Sequence, residues 1–230
     1  MKTKKYLDEY EKIVRDFGGR EDRIQQARIL SEVLEKHFKL DSFKVIETGA
    51  SQDFKDGCFG LYLAKIVQNE GGFFQTVDID SLILNRSREI YSRFLPDLEV
   101  SYFLSDSVDF LKNLPEAPNF IHLDSWDLNM KNPVPSMLHG WLEFDAIKDR
   151  MPSGSICVVD DNFLKGTVVY WNYLDPQGEV LGTEEIHVEY DIIGKGSLIY
   201  HWAQKDDSDW NLVGDHYEIG KNVKLILQKR

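Results

Sequence analysis

KVIETGASQDFKDGCFGLYL, residues 44–63, reads as a buried strand, a glycine-bearing loop and the start of a helix. In an open α/β sheet such a loop delivers backbone N–H groups and a helix N-terminus to a bound ligand, and glycines let that ligand come close. Gly49 follows the acidic Glu47, and Gly57 and Gly60 open the helix. An ordinary tight strand-to-helix turn needs similar glycines, so the rest of the chain has to decide between the two readings.

Downstream the pattern repeats. FFQTVDI at 73–79 is a second strand ending in Asp78 and Asp80, and Ser81 is placed to cap a helix that runs to Leu95. Residues 100–104 form a third strand, followed by Ser105, Asp106 and Ser107 and a short helix to Leu114. Residues 120–123 form a fourth, ending at Asp124. A loop rich in Asn and Pro leads to a helix over 136–150, and the turn MPSGS leads to a fifth strand at 156–159. Unbroken strand–helix alternation predicts a doubly wound α/β parallel sheet.

Upstream, residues 1–20 read as a polar helical lead-in ending at Gly18 and Gly19, either a flap or a plain surface helix. In 21–40, Ile24, Ala27, Leu30, Leu34 and Phe38 recur at helical spacing, as in a helix packed on a sheet. Beyond the fifth strand, residues 166–190 are rich in Val, Tyr and Thr, with a DPQG turn signal at 175–178, and read as a hairpin or irregular insertion. A helix near 195–205 and two antiparallel strands at 210–217 and 223–228 complete a single domain over 1–230.

The chain's 230 residues carry a net charge of -12, which argues against a protein that grips phosphate backbones, and so against a nucleic-acid partner. Cys58 and Cys157 offer neither metal spacing nor a disulfide framework and read as small buried hydrophobes in a reducing cytoplasm. No apolar run approaches the roughly 20 residues of a membrane span, so no membrane partner is expected. A homo-oligomer stays open.

Ligands of doubly wound sheets sit at the carboxyl ends of the strands. Asp78 is placed to accept hydrogen bonds from both ribose hydroxyls, while Asp80 suits a helix start. Asp106 with Ser107 could read the edge of an adenine ring. Asp124 after the fourth strand and Asp160, Asp161 and Asn162 after the fifth would crowd oxygen ligands together. Unpaired carboxylates at that spacing repel unless a cation neutralises them, for which Mg²⁺ is the economical choice; the alternative is that Asp160 and Asp124 merely cap a sheet edge and a turn.

Together these residues resemble the class I S-adenosylmethionine-dependent methyltransferases, in particular the metal-dependent O-methyltransferases that include catechol and macrocin methyltransferases. IETGAS at 46–51 is similar to the family's first motif, TVDID at 76–80 to its ribose motif and LSDSVDFL at 104–111 to its adenine-side motif. HLDSWD at 122–127 and VVDDN at 158–162 resemble its metal motifs. The resemblance implies a Rossmann-like, seven-stranded, mostly parallel sheet with an antiparallel C-terminal strand. It further implies that Glu47, Gly49 and Ser51 face the methionine part of S-adenosylmethionine, Asp78 its ribose, and Asp106, Ser107 and Trp126 its adenine. Asp124, Asp160 and Asp161 would hold the metal, with Asn162 as an alternative to Asp160.

Methyl transfer to the hydroxyl of a small molecule or sugar would follow, with the metal acidifying that hydroxyl. The family's basic residue past the metal aspartate is here Asp127, so the proton falls to Asp127 or to His139, which lies one helical turn from Glu143. The first motif also carries an extra stretch at 52–56. Alternatives are a methyltransferase that needs no metal and whose acids contact a substrate amine, a nicotinamide-dependent oxidoreductase, and a non-catalytic binding module on the same fold.

Overall fold

Strands that are apolar along both faces have to be covered on both sides, and the sheet of this protein is. The computed structural model describes residues 3–39, 41–54, 57–174, 177, 179–213 and 222–230. Two helices, α1 (Lys4–Asp16) and α2 (Glu21–His37), precede an alternation of β1 (Phe43–Thr48), α3 (Phe59–Glu70), β2 (Gly72–Asp78), α4 (Ser81–Phe94), β3 (Val100–Leu104), α5 (Ser107–Lys112), β4 (Phe120–Leu123), α6 (Val134–Ile147) and β5 (Ile156–Leu164). Then come β6 (Val168–Leu174), β7 (Val180–His187), β8 (Ile192–Gly194), α7 (Ser197–Ala203), β9 (Trp210–Leu212) and β10 (Val223–Lys229).

The main sheet runs β3-β2-β1-β4-β5-β10-β9, with the short β8 added beside β5. β1 to β5 pair in parallel, and β10 lies antiparallel to both β5 and β9. This is the expected doubly wound sheet with its antiparallel C-terminal strand, and β8 is an eighth strand that the sequence did not suggest. The expected strand at 210–217 is observed from Trp210 to Leu212; its remainder beyond Val213 lies outside the described residues.

Alternating positions of the central strands feed separate cores. Phe43, Val45, Phe120, Ile156, Val158 and Ile226 face the layer of α1, α2 and α3, whereas Ile46, Ile121, Leu123, Cys157, Val159, Leu225 and Leu227 face α6 and α7. The first helix is no loose lead-in, because Tyr6, Leu7, Tyr10 and Val14 are buried in the former core. At about 1.5–3 kcal/mol for each fully buried large apolar side chain, that face keeps α1 docked.

The 166–190 segment is a hairpin, with β6 and β7 forming a separate antiparallel sheet; Asp175, Pro176 and Gly178 of its turn signal lie outside the described residues. Lys131 pairs with Glu184 at 2.7 Å and lies over the Tyr173 ring, tying the hairpin to the loop after β4.

Asn162 proves to be a structural pin and not a free metal ligand. Fully buried, its Nδ2 donates to the carbonyls of Val159 and Asp160, and its Oδ1 accepts from Gly196 N at 2.7 Å. Asn162→Ala would strand the Gly196 N–H, so it is expected to lower unfolding free energy by about 1–3 kcal/mol in urea melts, with the effect absent from an exposed control such as Asn211→Ala.

Candidate active site

The order β3-β2-β1-β4-β5 puts the reversal of strand order between the parallel neighbours β1 and β4, where a doubly wound sheet opens a crevice beyond its carboxyl ends. A cleft of about 330 Å³ lies there. Its walls come from the loop after β1 (Gly49, Ala50, Ser51), the ends of β2 and β3 (Asp78, Ile79, Asp106, Ser107), the loop after β4 (Asp124 to Asp127), His139 of α6, and Asp160 and Asp161 of β5.

Gly49 adopts φ +76°, and a Cβ there would meet the Asp124 backbone 2.5 Å away, so only glycine lets the two loops touch. Glu47 is placed otherwise than expected. It is fully buried beneath the loop and accepts from Ser51 Oγ (2.8 Å), Thr76 Oγ1 (2.9 Å) and Tyr91 OH (3.2 Å). Its work is to anchor the loop from below, because the hydroxyls take the bonds a ligand would need.

Asp78 lines the cleft and accepts from Ala50 N at 3.0 Å, with each carboxylate oxygen keeping further acceptor capacity. Asp80 caps α4 through Leu82 N, as its position suggests. Beside Asp78, Ile79 is 77% exposed and borders the cleft. An exposed isoleucine next to a strand-end acid gives this wall of the cleft an apolar face, which pattern reading passed over. Opposite, Asp106 caps α5, while Ser107 is buried and bonds His139 Nε2 at 3.1 Å.

His139 is held by its surroundings. Glu143, one turn along α6 and buried, lies 3.6 Å from Nε2 and accepts from Ser125 Oγ at 2.6 Å, and Trp126 packs against the ring at 5.2 Å. Burial works against the charged imidazole, but the Glu143 carboxylate and Asp106 outweigh it and raise the His139 pKa. Trp126 is 57% exposed with φ +60°, its indole open to the cleft. Asp127 sits at the exposed rim.

Asp124 after β4 meets Asp160 and Asp161, which lie within β5 because that strand runs on to Leu164, but the three acids also meet lysines and an arginine. Lys195 Nζ lies 2.7 Å from Asp124 Oδ1 and 3.0 Å from Asp161 Oδ2. Lys224 Nζ lies 2.6 Å from Asp160 Oδ2, and Arg23 Nη1 lies 3.3 Å from Asp160 Oδ1. Burial disfavours a charged Lys195, yet Asp124, Asp161 and Asp160 override it and raise its pKa. For Asp160 the desolvation of burial is overridden by Lys224 and Arg23, which hold the carboxyl well below its usual range. Burial and the neighbouring acids push Asp124 up against the pull of Lys195, while 24% of its side chain stays open to the cleft.

The donor set therefore does not fit a divalent metal. The premise of the metal reading was uncompensated carboxylate charge, and Lys195, Lys224 and Arg23 already supply the compensation. His122, Asp124 and Asp160 offer ligand atoms within 4.8 Å of one another, a span a metal could bridge. That space borders Lys224 Nζ, which is 3.2 Å from His122 Nε2 as well as 2.6 Å from Asp160. Burial, with Lys224 alongside, lowers the His122 pKa and keeps the ring neutral. Lys195, Lys224 and Arg23 were missed in the sequence, though Lys224 in VKLILQ and Arg23 beside Ile24 are charges in buried register, which normally signal a partner.

No protein-family model matches the chain, and no curated protein matches it in sequence. Solved structures do match. The S-adenosylmethionine-dependent methyltransferase from Clostridium acetobutylicum ATCC 824 covers 98% of both chains at 10% identity, with a TM-score of 0.57. SMU.1697c from Streptococcus mutans, in complex with SAH, covers 89% of this chain and 98% of its own at 12% identity and 0.52. The glycopeptide N-methyltransferase MtfA, complexed with (S)-adenosyl-L-homocysteine, covers 89% and 90% at 9% identity and 0.51. The chain thus has the fold shared by S-adenosylmethionine-dependent methyltransferases.

Two outcomes test this arrangement. Lys224→Met leaves Asp160 short of a buried partner and should cost about 3–5 kcal/mol in chemical denaturation. His139, whose folded pKa is raised, should stabilise the fold fully below about pH 6.5 and lose that contribution as pH climbs through the folded value. An NMR titration should accordingly give His139 an apparent pKa above 6.5 that falls in Glu143→Gln.

Proposed function

We propose that this protein is an S-adenosylmethionine-dependent methyltransferase acting on a hydroxyl or amine of a small polar molecule without a bound metal. The observation that carries the reading is the cleft where the strand order switches, in which the Gly49 loop, Asp78 with the exposed Ile79, and Asp106 border one cavity. These residues suit the cofactor: Gly49 and Ser51 for its methionine part, Asp78 for its ribose, and Ile79 and Asp106 for its adenine. When bound, it supplies a methyl on a sulfonium sulfur that leaves with the bonding electron pair.

The chain's own contribution is to hold the acceptor and take its proton. Asp124 stands at the cleft floor with Oδ1 on Lys195, and among the described residues no hydrogen bond falls on Oδ2. That oxygen orients the acceptor's O–H or N–H and accepts its proton as the new bond to carbon forms. Trp126 provides an apolar wall, and Asp127 and His139 complete the rim. The charge of -12 favours a small acceptor over a nucleic acid.

Calorimetry with S-adenosylhomocysteine should detect binding that Asp78→Ala weakens at least about tenfold, through loss of a charge-assisted hydrogen bond. In assays with labelled S-adenosylmethionine over a panel of small alcohols, phenols and amines, Asp124→Asn should lower turnover at least about 100-fold while nucleoside affinity holds. Retained turnover in Asp124→Asn, with loss in Asp127→Asn or His139→Gln, would move the proton to that residue. Absence of nucleoside binding would sink the proposal.

A further inference from the structure

The Lys195 ammonium is built into the site as firmly as a ligated ion. Its Nζ donates to Asp124 O at 3.1 Å and to Asp124 Oδ1 at 2.7 Å, and lies 3.0 Å from Asp161 Oδ2 as an ion pair. The lysine is delivered by a short glycine-flanked segment between β8 and α7. Gly194, at φ +142°, lies so close to Asp161 that a Cβ would collide with its carbonyl oxygen, and Gly196 is fastened to Asn162. The side chain is 3% exposed, so it works from behind the carboxylates and not from the cleft. Asp161 itself is fixed from its other oxygen by Asn222 at 2.8 Å.

We propose that Lys195 is the resident cation of this acid cluster, standing between Asp124 and Asp161 where a divalent ion would otherwise sit, so that the native chain takes up no metal there and loss of the lysine creates a metal site. The charges require it: Asp124, Asp160 and Asp161 are matched by Lys195, Lys224 and Arg23, and an added dication would bring two unmatched positive charges beside a buried ammonium. Removal of Lys195 reverses the balance. Asp124 and Asp161 would then present carboxylate oxygens with no counter-ion at the edge of a water-accessible cleft, the arrangement hard cations favour. Lys195 is thus a positioning residue, aiming Asp124 at the acceptor; that catalytic consequence rests on the methyltransferase reading, whereas the metal exclusion does not.

The test uses the full chain after dialysis against EDTA, titrated with Mn²⁺ alone and followed by electron paramagnetic resonance of the free ion and by thermal melting. Wild type should leave Mn²⁺ free and its melting temperature unchanged. Lys195→Met should bind Mn²⁺ at least about tenfold more tightly than wild type and gain melting temperature with it, and the further change Asp161→Asn should abolish that binding. Lys195→Arg, which keeps the charge, should stay indifferent to Mn²⁺. Mn²⁺ uptake by wild type that is lost in Asp161→Asn would overturn the proposal, as would a folded Lys195→Met that ignores the ion. If Lys195→Met folds only with Mn²⁺, the proposal stands; if it folds under neither condition, the wild-type titration decides. Calorimetry of wild type with S-adenosylhomocysteine separates the two ideas: a metal-binding Lys195→Met alongside a wild type that ignores the nucleoside would retain the cation proposal and discard methyl transfer.

Discussion

Carboxylates gathered at the ends of adjacent parallel strands have to be neutralised, and the rest of the site follows from how this chain does it. Lys195 joins the end of β4 to the end of β5 through Asp124 and Asp161, while Lys224 and Arg23 neutralise Asp160. Internal cations fix carboxylate geometry without an exchangeable ion, and they do so at a desolvation cost that only close pairing offsets. The cleft consequently presents a pre-set acid, Asp124, with one oxygen committed to the scaffold.

This arrangement explains why the elements outside the alternating core matter. Arg23 comes from α2, Lys224 from β10 and Lys195 from the turn before α7, so elements distant in the chain meet at the strand ends that border the cleft. Buried polar groups line up from Glu47 past His122, whose Nδ1 lies 3.8 Å from the Glu47 carboxylate, and Lys224 to Asp160 and Arg23, inside the layer packed by α2 and α3. These groups lie between the anchor of the Gly49 loop and the acid cluster. Apolar packing holds the sheet together on both faces, and the close approach of Gly49 to the Asp124 backbone brings the loops after β1 and β4 together.

Most of the cleft lining was legible in the sequence, because strand ends in a doubly wound sheet converge whatever the details of the loops. Gly49, Ser51, Asp78, Asp106, Ser107, Asp124, Trp126, Asp127, His139, Asp160 and Asp161 do border one cavity. Glu47 and Asn162 do not, since their places within β1 and β5 bury them among hydroxyls and backbone groups. Ile79 was overlooked because a single apolar residue at a strand end looks like core until its exposure is known.

The sequence by itself determined the alternation of strands and helices and the acids that line the cleft, since these depend on local periodicity and on the residue that ends each strand. Only the tertiary structure decided what the acids are paired with. Arg23 and Asp160 lie 137 positions apart, and Lys195 and Asp124 lie 71 apart. No local pattern encodes such pairings, because a buried charge chooses its partner by distance in the folded chain, and that distance is set by how whole layers pack.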